Sequence, residues 1–248
     1  VPVWGKVPGM NSSLTRPVTV SFAGQEKTAL ADPVTGVWTV ELDPMEASTE
    51  SRTMTVIEET GLWFVDLFSS PTDTVEIKDV LVGEVWYCAG QSNAEMPLVG
   101  DNPHFSDRLG RLTAQMTVKP NVRFCYASNY KWSTEPKAKA AYKVEWKRFT
   151  PANLMTPPSF SAMGCYFGLE LYGALDIPVG LVGSYWGGTN IDAWTPRWGY
   201  EGKHELREVA AYEVHDAKSW KDEHKKGPIS DACQQPTVLW NEMVAPWC

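Results

Sequence analysis

The sequence predicts an α/β protein, in which a small antiparallel β-sandwich over residues 1–78 precedes a parallel sheet flanked by helices over residues 79–248. Up to about residue 78, apolar and polar residues alternate in short segments, which is the period of half-buried strands. After that point strand-like runs are separated by helical stretches. This order favours parallel strands with helices packed against them.

Four short segments carry the alternation of the N-terminal part. Turn-forming pairs, such as Asp32-Pro33 and Asp43-Pro44, separate them, as expected for strands joined by tight connections. The predicted strands are residues 18–22, 36–42, 52–57 and 74–78. No residue of this part has a pattern that indicates catalysis.

The C-terminal part contains both element types. The predicted strands are residues 80–89, 121–126 and 179–185, and the predicted helices are residues 161–175, 203–226 and 236–246. In the first of these helices apolar residues recur at intervals of four, which predicts an apolar helical stripe; they are Met163, Phe167, Leu171 and Leu175. The helix over 203–226 has apolar residues on one face and ends in a charged run that we expect to be solvated.

A serine follows directly where the first of these strands stops. The segment 85–93 reads Val-Trp-Tyr-Cys-Ala-Gly-Gln-Ser-Asn, so Ser92 stands on a turn after a buried-strand pattern. Side chains at the carboxyl end of a parallel strand face the crevice where such sheets bind ligands. Ser92 is therefore a candidate nucleophile, although an ordinary polar turn gives the same tetrapeptide.

Three further segments, together with the serine turn, resemble the sialate O-acetylesterases, which belong to the SGNH-type carbohydrate esterases. Residues 178–194 form an apolar strand that runs into Trp-Gly-Gly-Thr-Asn-Ile-Asp-Ala-Trp, and residues 78–86 and 238–246 supply the other matches. The corresponding family motifs are G-Q-S-N, W-G-G-T-P-I-E-A-W and L-W-N-A-M-I-x-P. The matches occur in the family order over nearly the whole chain.

The resemblance implies a serine esterase that removes O-acetyl groups from sialic acids through an acyl-enzyme on Ser92. Such an enzyme needs a base and donors for the oxyanion besides its nucleophile. In this family the nucleophile's own N–H and a glycine N–H serve as donors, and Gly187 or Gly188 matches that glycine. Asn190 stands where relatives have proline, so we do not assign it an oxyanion role. Expected substrate-binding residues are Gln91, Asn93, Trp186 and Trp194.

The base is the part of the family pattern that this sequence lacks. Relatives carry an Asp-x-x-His pair near the C-terminal end of the domain, beyond the position of Cys248. Asp101 and His104 have the same spacing, but they follow the serine too closely for the family order, and the proline between them disfavours a helix. The resemblance therefore implies a sheet that is incomplete at its C-terminus. It also implies a base from a segment beyond Cys248 or from a companion chain, for which Cys248 is a candidate interchain disulfide.

Composition limits the partners. A formal charge of −8 disfavours nucleic acids and anionic membranes, and no apolar run reaches the roughly 20 residues of a membrane span. The 12 tryptophans suit contacts with sugar rings. Five cysteines without a C-x-x-C pair indicate neither a zinc site nor a dense disulfide framework, and no metal or cofactor is implied. Asn11 begins a glycosylation sequon, which fits a secreted or lysosomal protein.

Two classes of function remain open at this stage. In the first, the chain is the N-terminal part of an esterase that deacetylates sialic acid or another acetylated sugar. In the second, it is a truncated, non-catalytic module that binds a carbohydrate or a partner. A related acetyl xylan esterase is a further alternative, because the motifs concern the acetyl group more than the sugar.

Overall fold

The computed structural model describes residues 1–8, 15–59, 72–98, 121–127, 130–138, 144–155, 160–214 and 232–247. The chain folds into two compact units, Val1–Gly83 and Glu84–Cys248. The first is antiparallel β and the second is mixed α/β, so the predicted fold class is confirmed.

The first unit contains two antiparallel sheets. Its described strands are β1 Pro2–Lys6, β2 Pro17–Phe22, β3 Gln25–Leu30, β4 Val37–Glu41, β5 Ser48–Glu59 and β6 Thr72–Val82. One sheet has the order β3-β2-β5-β6, and the other pairs β1 with β4. Alternate residues of β2 and β4 point into a shared core that includes Val20, Phe22 and Trp38. The predicted alternation of apolar and polar residues is therefore present in this unit. The unit also contains β1 and β3, which the sequence did not predict.

The strand predicted over residues 80–89 is in fact divided. Residues up to Val82 belong to β6, where Val80 pairs with Arg52 of β5. A bend at Gly83 then separates them from β7, Glu84–Gly90. A continuous apolar run cannot reveal such a break, because the residues on both sides of it have the same hydrophobic character.

The second unit is built on a four-stranded sheet of order β7-β10-β8-β9. After β7 come α1 Ser92–Glu95, β8 Val122–Tyr126, β9 Lys147–Arg148, α2 Pro151–Met155, α3 Ala162–Leu175 and β10 Val179–Tyr185. β10 pairs in parallel with both β7 and β8, whereas β9 is antiparallel to β8. The core between α3 and this sheet includes Phe124, Phe160 and Leu181.

Helix α3 packs through a different face from the one that its apolar stripe suggests. Its buried residues are Gly164, Cys165, Gly168, Leu169 and Tyr172. The stripe is largely outward: Met163 is 58% exposed, Phe167 40% and Leu175 47%. Small residues let the helix approach the sheet closely, since a Cβ on Gly168 would lie 2.5 Å from Leu181 Cδ1. Close backbone approach thus decides the orientation of the helix, and the period of four does not.

The two other predicted helices are only partly formed. Over the described part of 203–226, a 3₁₀ turn His204–Leu206 leads into α4, Arg207–Ala210. Neither turn has a side-chain cap, and their residues are mostly exposed, so little buried surface supports a longer helix. The C-terminal segment has a π-helical turn Trp240–Val244 and a 3₁₀ turn Ala245–Trp247. It therefore continues through Pro246 rather than ending before it.

The cysteines of β7 and β8 behave as apolar residues. Cys125 is buried, Cys88 is half-buried against the core, and both are free thiols. Burial raises the pKa of Cys88 to about 11 and that of Cys125 to about 12. Within the described ranges, no helix is long and apolar enough to cross a membrane.

The orientation of α3 predicts unequal costs for the same substitution at two positions. Leu169 is 5% exposed and Leu175 is 47% exposed. We expect Leu169→Ala to lower the free energy of unfolding by about 2–5 kcal/mol, because it leaves a cavity. Leu175→Ala should cost less than about 1 kcal/mol. Urea denaturation followed by circular dichroism measures both, and equal costs would contradict the outward orientation of the stripe.

Candidate active site

Parallel pairing brings the two sequence motifs together. In the register of β7 and β10, Gly90 is opposite Tyr185, and the N–H of Trp186 donates to the carbonyl oxygen of Gly90 at 3.0 Å. Both strands therefore end at the same level, and the turn carrying Ser92 adjoins the glycine turn. This is the carboxyl edge of the parallel strands, where ligands bind in open α/β sheets.

The turn that carries Ser92 is compact. Ser92 is exposed and opens α1, and the Gln91 side-chain oxygen accepts a hydrogen bond from the Ser92 N–H at 2.8 Å. Gly90 has φ +151°, and a Cβ there would lie 2.9 Å from the Cβ of Ala94. Gln91 is thus a capping residue of α1. Its side-chain oxygen is the acceptor for the Ser92 N–H, which the family pattern assigns as a donor to the oxyanion.

The glycine turn presents one N–H to the Ser92 hydroxyl. Gly188 donates to Ser92 Oγ at 3.3 Å, whereas the N–H of Gly187 donates to Glu95 Oε2 at 2.6 Å. Gly188 has φ +77°, a left-handed conformation that other residues rarely adopt. Of the two glycines that the sequence left open, Gly188 is therefore the one that faces the serine hydroxyl.

A second set of contacts holds the other side of this turn. The side chain of Gln234 donates to the Gly188 carbonyl oxygen at 2.6 Å and accepts from the N–H of Asn190 at 2.8 Å. The Asn190 amide donates to the Gln234 carbonyl oxygen at 3.0 Å, and its oxygen accepts from the Ala193 N–H at 3.0 Å. Asn190 therefore fixes the turn through these contacts.

Two residues of the site were missed from the sequence, Glu95 and Tyr130. The hydroxyl of Tyr130 donates to Glu95 Oε1, and its ring makes an edge contact with Trp186, with centroids 5.6 Å apart. Glu95 lies three residues after Ser92, so one helical turn places both on the same side, a signal that the sequence does contain. Tyr130 precedes a polar loop and has no such signal.

The loop that follows Tyr130 is fixed to the C-terminal helical segment. The N–H of Ser133 donates to the carbonyl oxygen of Val238 at 3.0 Å, and the N–H of Lys137 donates to the carbonyl oxygen of Asn241 at 2.8 Å. The Asn241 side-chain amide also donates to the carbonyl oxygens of Ser133 and Thr134, at 3.1 and 3.0 Å. Asn241 is 5% exposed, so these bonds lie largely out of solvent.

The expected substrate residues occupy different environments. Trp186 is half-buried beside Tyr130 at the site, and Asn93 is exposed next to Ser92. Trp194 packs against the cluster of Ala193, Val238, Leu239 and Met243. Its indole N–H donates to Thr189 Oγ1 at 2.9 Å. The indole N–H of Trp194 therefore supports the glycine turn.

Some sequence-based assignments lie outside the described residues. These are Asn11, Asp101, His104, His215, His224 and Cys248. The described part of the chain contains one histidine, His204, which is exposed, with Nε2 3.4 Å from Arg207. Among described residues, the Ser92 hydroxyl has the Gly188 N–H as its one hydrogen-bond partner. No group of three metal-ligating side chains occurs within those residues either.

Known proteins that are similar to this chain include sialate O-acetylesterases and a carbohydrate acetylesterase. The human sialate O-acetylesterase is 29% identical over 216 residues, which are 85% of this chain and 35% of that protein. The mouse sialate O-acetylesterase is 27% identical over 267 residues, covering 98% of this chain and 45% of that one. A carbohydrate acetylesterase from Xanthomonas citri, known from its crystal structure, is 31% identical with a TM-score of 0.67. No family model matches.

The similarity extends over nearly all of this chain but less than half of these relatives. The alignment with the Xanthomonas citri structure covers 99% of this chain and 43% of that one. Two of the motifs that suggested the resemblance, Gly-Gln-Ser-Asn and the glycine turn, are in contact in the structure. These similarities support the resemblance to the sialate O-acetylesterases that the motifs suggested.

Proposed function

We propose that this chain carries the nucleophile and an oxyanion donor of an esterase that removes acetyl groups from sugars, with O-acetylated sialic acid as the substrate. One observation carries the proposal. The exposed hydroxyl of Ser92 lies 3.3 Å from the N–H of Gly188, at the carboxyl edge of a parallel sheet. A nucleophile next to a fixed N–H donor is the arrangement that acyl transfer needs.

The reaction follows from this geometry. Ser92 Oγ would attack the acetyl carbonyl carbon while a base takes the hydroxyl proton, and the negative charge would develop on the carbonyl oxygen. The Gly188 N–H would then turn from Ser92 Oγ to that oxygen. The bond to the sugar oxygen breaks, the sugar leaves with a proton, and water releases acetate from the acyl-serine. The N–H of Ser92 can add a second donor only if Gln91 releases it.

The base is proposed to come from an Asp-x-x-His segment beyond Cys248, in the part of the relatives that this chain does not match. A companion chain linked through Cys248 would supply it equally well. A secreted or lysosomal location is proposed with it, since the Asn11 sequon and an interchain disulfide both belong to such compartments.

The aromatic groups at the site fit a sugar. Trp186 and Tyr130 meet edge to face beside the glycine turn, and aromatic faces cover the apolar faces of sugar rings. The names of the mammalian relatives favour sialic acid. The similarity to a carbohydrate acetylesterase of known structure is compatible with other acetylated sugars, including acetyl xylan, as substrates.

A second candidate function is a module that binds acetylated sugar or a partner without turnover. Two observations favour it. Among the described residues Ser92 Oγ contacts no base, and its N–H is already bonded to Gln91. Measured reactivity of the serine separates the two functions.

The esterase proposal predicts that Ser92 reacts with a fluorophosphonate probe, which labels activated serines rather than all serines. Peptide mass spectrometry should find the adduct on Ser92. Ser92→Ala should abolish labelling and lower acetate release from 9-O-acetyl sialic acid by at least about 10³-fold. The assay should be run with the chain alone and with the C-terminal part of a relative supplied as a separate polypeptide.

Each outcome of this assay has a distinct meaning. Labelling of the chain alone shows that it holds a base of its own. Labelling only with the added segment supports a site completed from outside residues 1–248. A serine that stays unreactive in both cases contradicts the esterase proposal and favours the binding module.

The oxyanion role predicts a selective effect at Gly188. Gly188 and Gly202 have similar φ angles, +77° and +71°, and neither has an atom within 4 Å of an added Cβ. Alanine at either position should cost about 1–2 kcal/mol of stability through left-handed strain. We expect Gly188→Ala alone to lower kcat, by about 10²-fold, because the donor moves. Equal kcat values for the two variants would contradict the role of Gly188.

A further inference from the structure

We propose that Glu95 is a positioning residue, whose carboxylate fixes the glycine turn so that the Gly188 N–H points at Ser92. The inference rests on the proposed esterase function and adds a residue to it. Glu95 is half-buried and follows Ser92 by one helical turn. It therefore connects the nucleophile turn to the turn that supplies the oxyanion donor.

The contact with the glycine turn is direct and charge-assisted. Glu95 Oε2 accepts from the N–H of Gly187 at 2.6 Å, and bonds to an ionised acceptor are about twice as strong as neutral ones. A Cβ at residue 187 would lie 2.8 Å from Glu95 Oε2 and 3.2 Å from Ser92 Oγ. The carboxylate and Ser92 Oγ thus both pack against Gly187. We therefore expect a displacement of Glu95 to move the peptide bond between Gly187 and Gly188.

Tyr130 fixes the other carboxylate oxygen. Its hydroxyl donates to Glu95 Oε1 and lies 3.1 Å from the hydroxyl of Tyr126. Burial and the hydrogen bond to Glu95 raise the pKa of Tyr130 well above its usual value, so the phenol remains a donor at neutral pH. The carboxylate is therefore held at both oxygens and has one orientation.

The electrostatics argue for positioning and against transition-state stabilisation. A carboxylate close to a developing oxyanion repels it, so the charge of Glu95 gives no direct catalytic benefit. What Glu95 supplies is an acceptor for the Gly187 N–H, on the side of the glycine turn that Gln234 does not hold. A neutral acceptor in the same place should do this nearly as well.

Glutamine at residue 95 provides that neutral acceptor. The Gly187 N–H can only donate, so it would take the amide oxygen, and the amide N–H would face Tyr130. The Tyr130 hydroxyl can rotate to accept this bond and donate to Tyr126 instead, since either hydroxyl can be the donor in that pair. The hydrogen-bond network is thus preserved in Glu95→Gln and lost in Glu95→Ala.

The kinetic test measures kcat and KM for acetyl ester hydrolysis in the full chain, with whatever C-terminal segment the wild type requires. Glu95→Ala should lower kcat by about 10²-fold, as expected when an oxyanion donor is misaligned, and leave KM within about threefold. Glu95→Gln should keep kcat within about fivefold of the wild type. Glu170→Gln, on the exposed side of α3, is the matched control and should change neither.

A structural readout accompanies the kinetics. Trp-Gly peptide bonds occur three times in the sequence, at 4–5, 186–187 and 198–199. ¹³C-tryptophan and ¹⁵N-glycine labelling therefore isolates three amide signals, and Trp4→Phe and Trp198→Phe identify the other two. The Gly187 amide proton should be shifted downfield by the carboxylate. It should move upfield in Glu95→Ala and much less in Glu95→Gln.

The outcomes separate the two proposals. An active wild type in which Glu95→Ala keeps its kcat, or in which the Gly187 signal does not move, overturns the role of Glu95 alone. If Glu95→Gln is as inactive as Glu95→Ala, the charge is required, which points to a base and overturns positioning. A wild type that is inactive under every condition overturns the esterase function, and the catalytic role of Glu95 with it.

Discussion

The parallel pairing of β7 with β10 is the constraint on which the site depends. The register places Gly90 opposite Tyr185, and one further bond, from the Trp186 N–H to the Gly90 carbonyl oxygen, continues the pairing beyond the last residue of β10. Segments more than ninety residues apart in sequence therefore begin their turns side by side. A shift of one residue would turn each side chain to the opposite face of the sheet and separate Ser92 from Gly188.

A single peptide, between Gly187 and Gly188, is held from two directions. Glu95 accepts a hydrogen bond from the Gly187 N–H on one side of this peptide, and Gln234 donates to the Gly188 carbonyl oxygen on the other side. Fixing a donor before the reaction is the usual source of oxyanion stabilisation, because no reorganisation is then needed as charge develops. The two side chains come from segments far apart in sequence, so the turn has its conformation only in the folded unit.

Sequence reasoning succeeded where a local pattern reflects a local force. The strands ending at Gly90 and Tyr185 were visible as apolar runs, and Ser92 and the glycine turn as motifs. It failed where tertiary packing decides. The apolar stripe of α3 faces outward because Gly168 packs closely against Leu181. The spacing of apolar residues along the helix cannot predict this contact between two separate elements. Tyr130 reaches the site through a loop whose course is set by distant hydrogen bonds, so its sequence neighbours give no indication of its position.

The domain division shows a similar limit. The apolar run from residue 80 to 89 has one hydrophobic character, yet the bend at Gly83 assigns its halves to two different sheets. What distinguishes the halves is their partners, β5 on one side and β10 on the other.

The anchoring of the loop after Tyr130 to Asn241 has a thermal consequence. Proteins open locally before they unfold globally. If the segment around Asn241 opens, Ser133 and Thr134 lose their bonds, and the loop no longer holds Tyr130 against Glu95. The contact between Tyr130 and Glu95 would then be lost with the opening of this short segment, even while the sheet of the second unit is still intact.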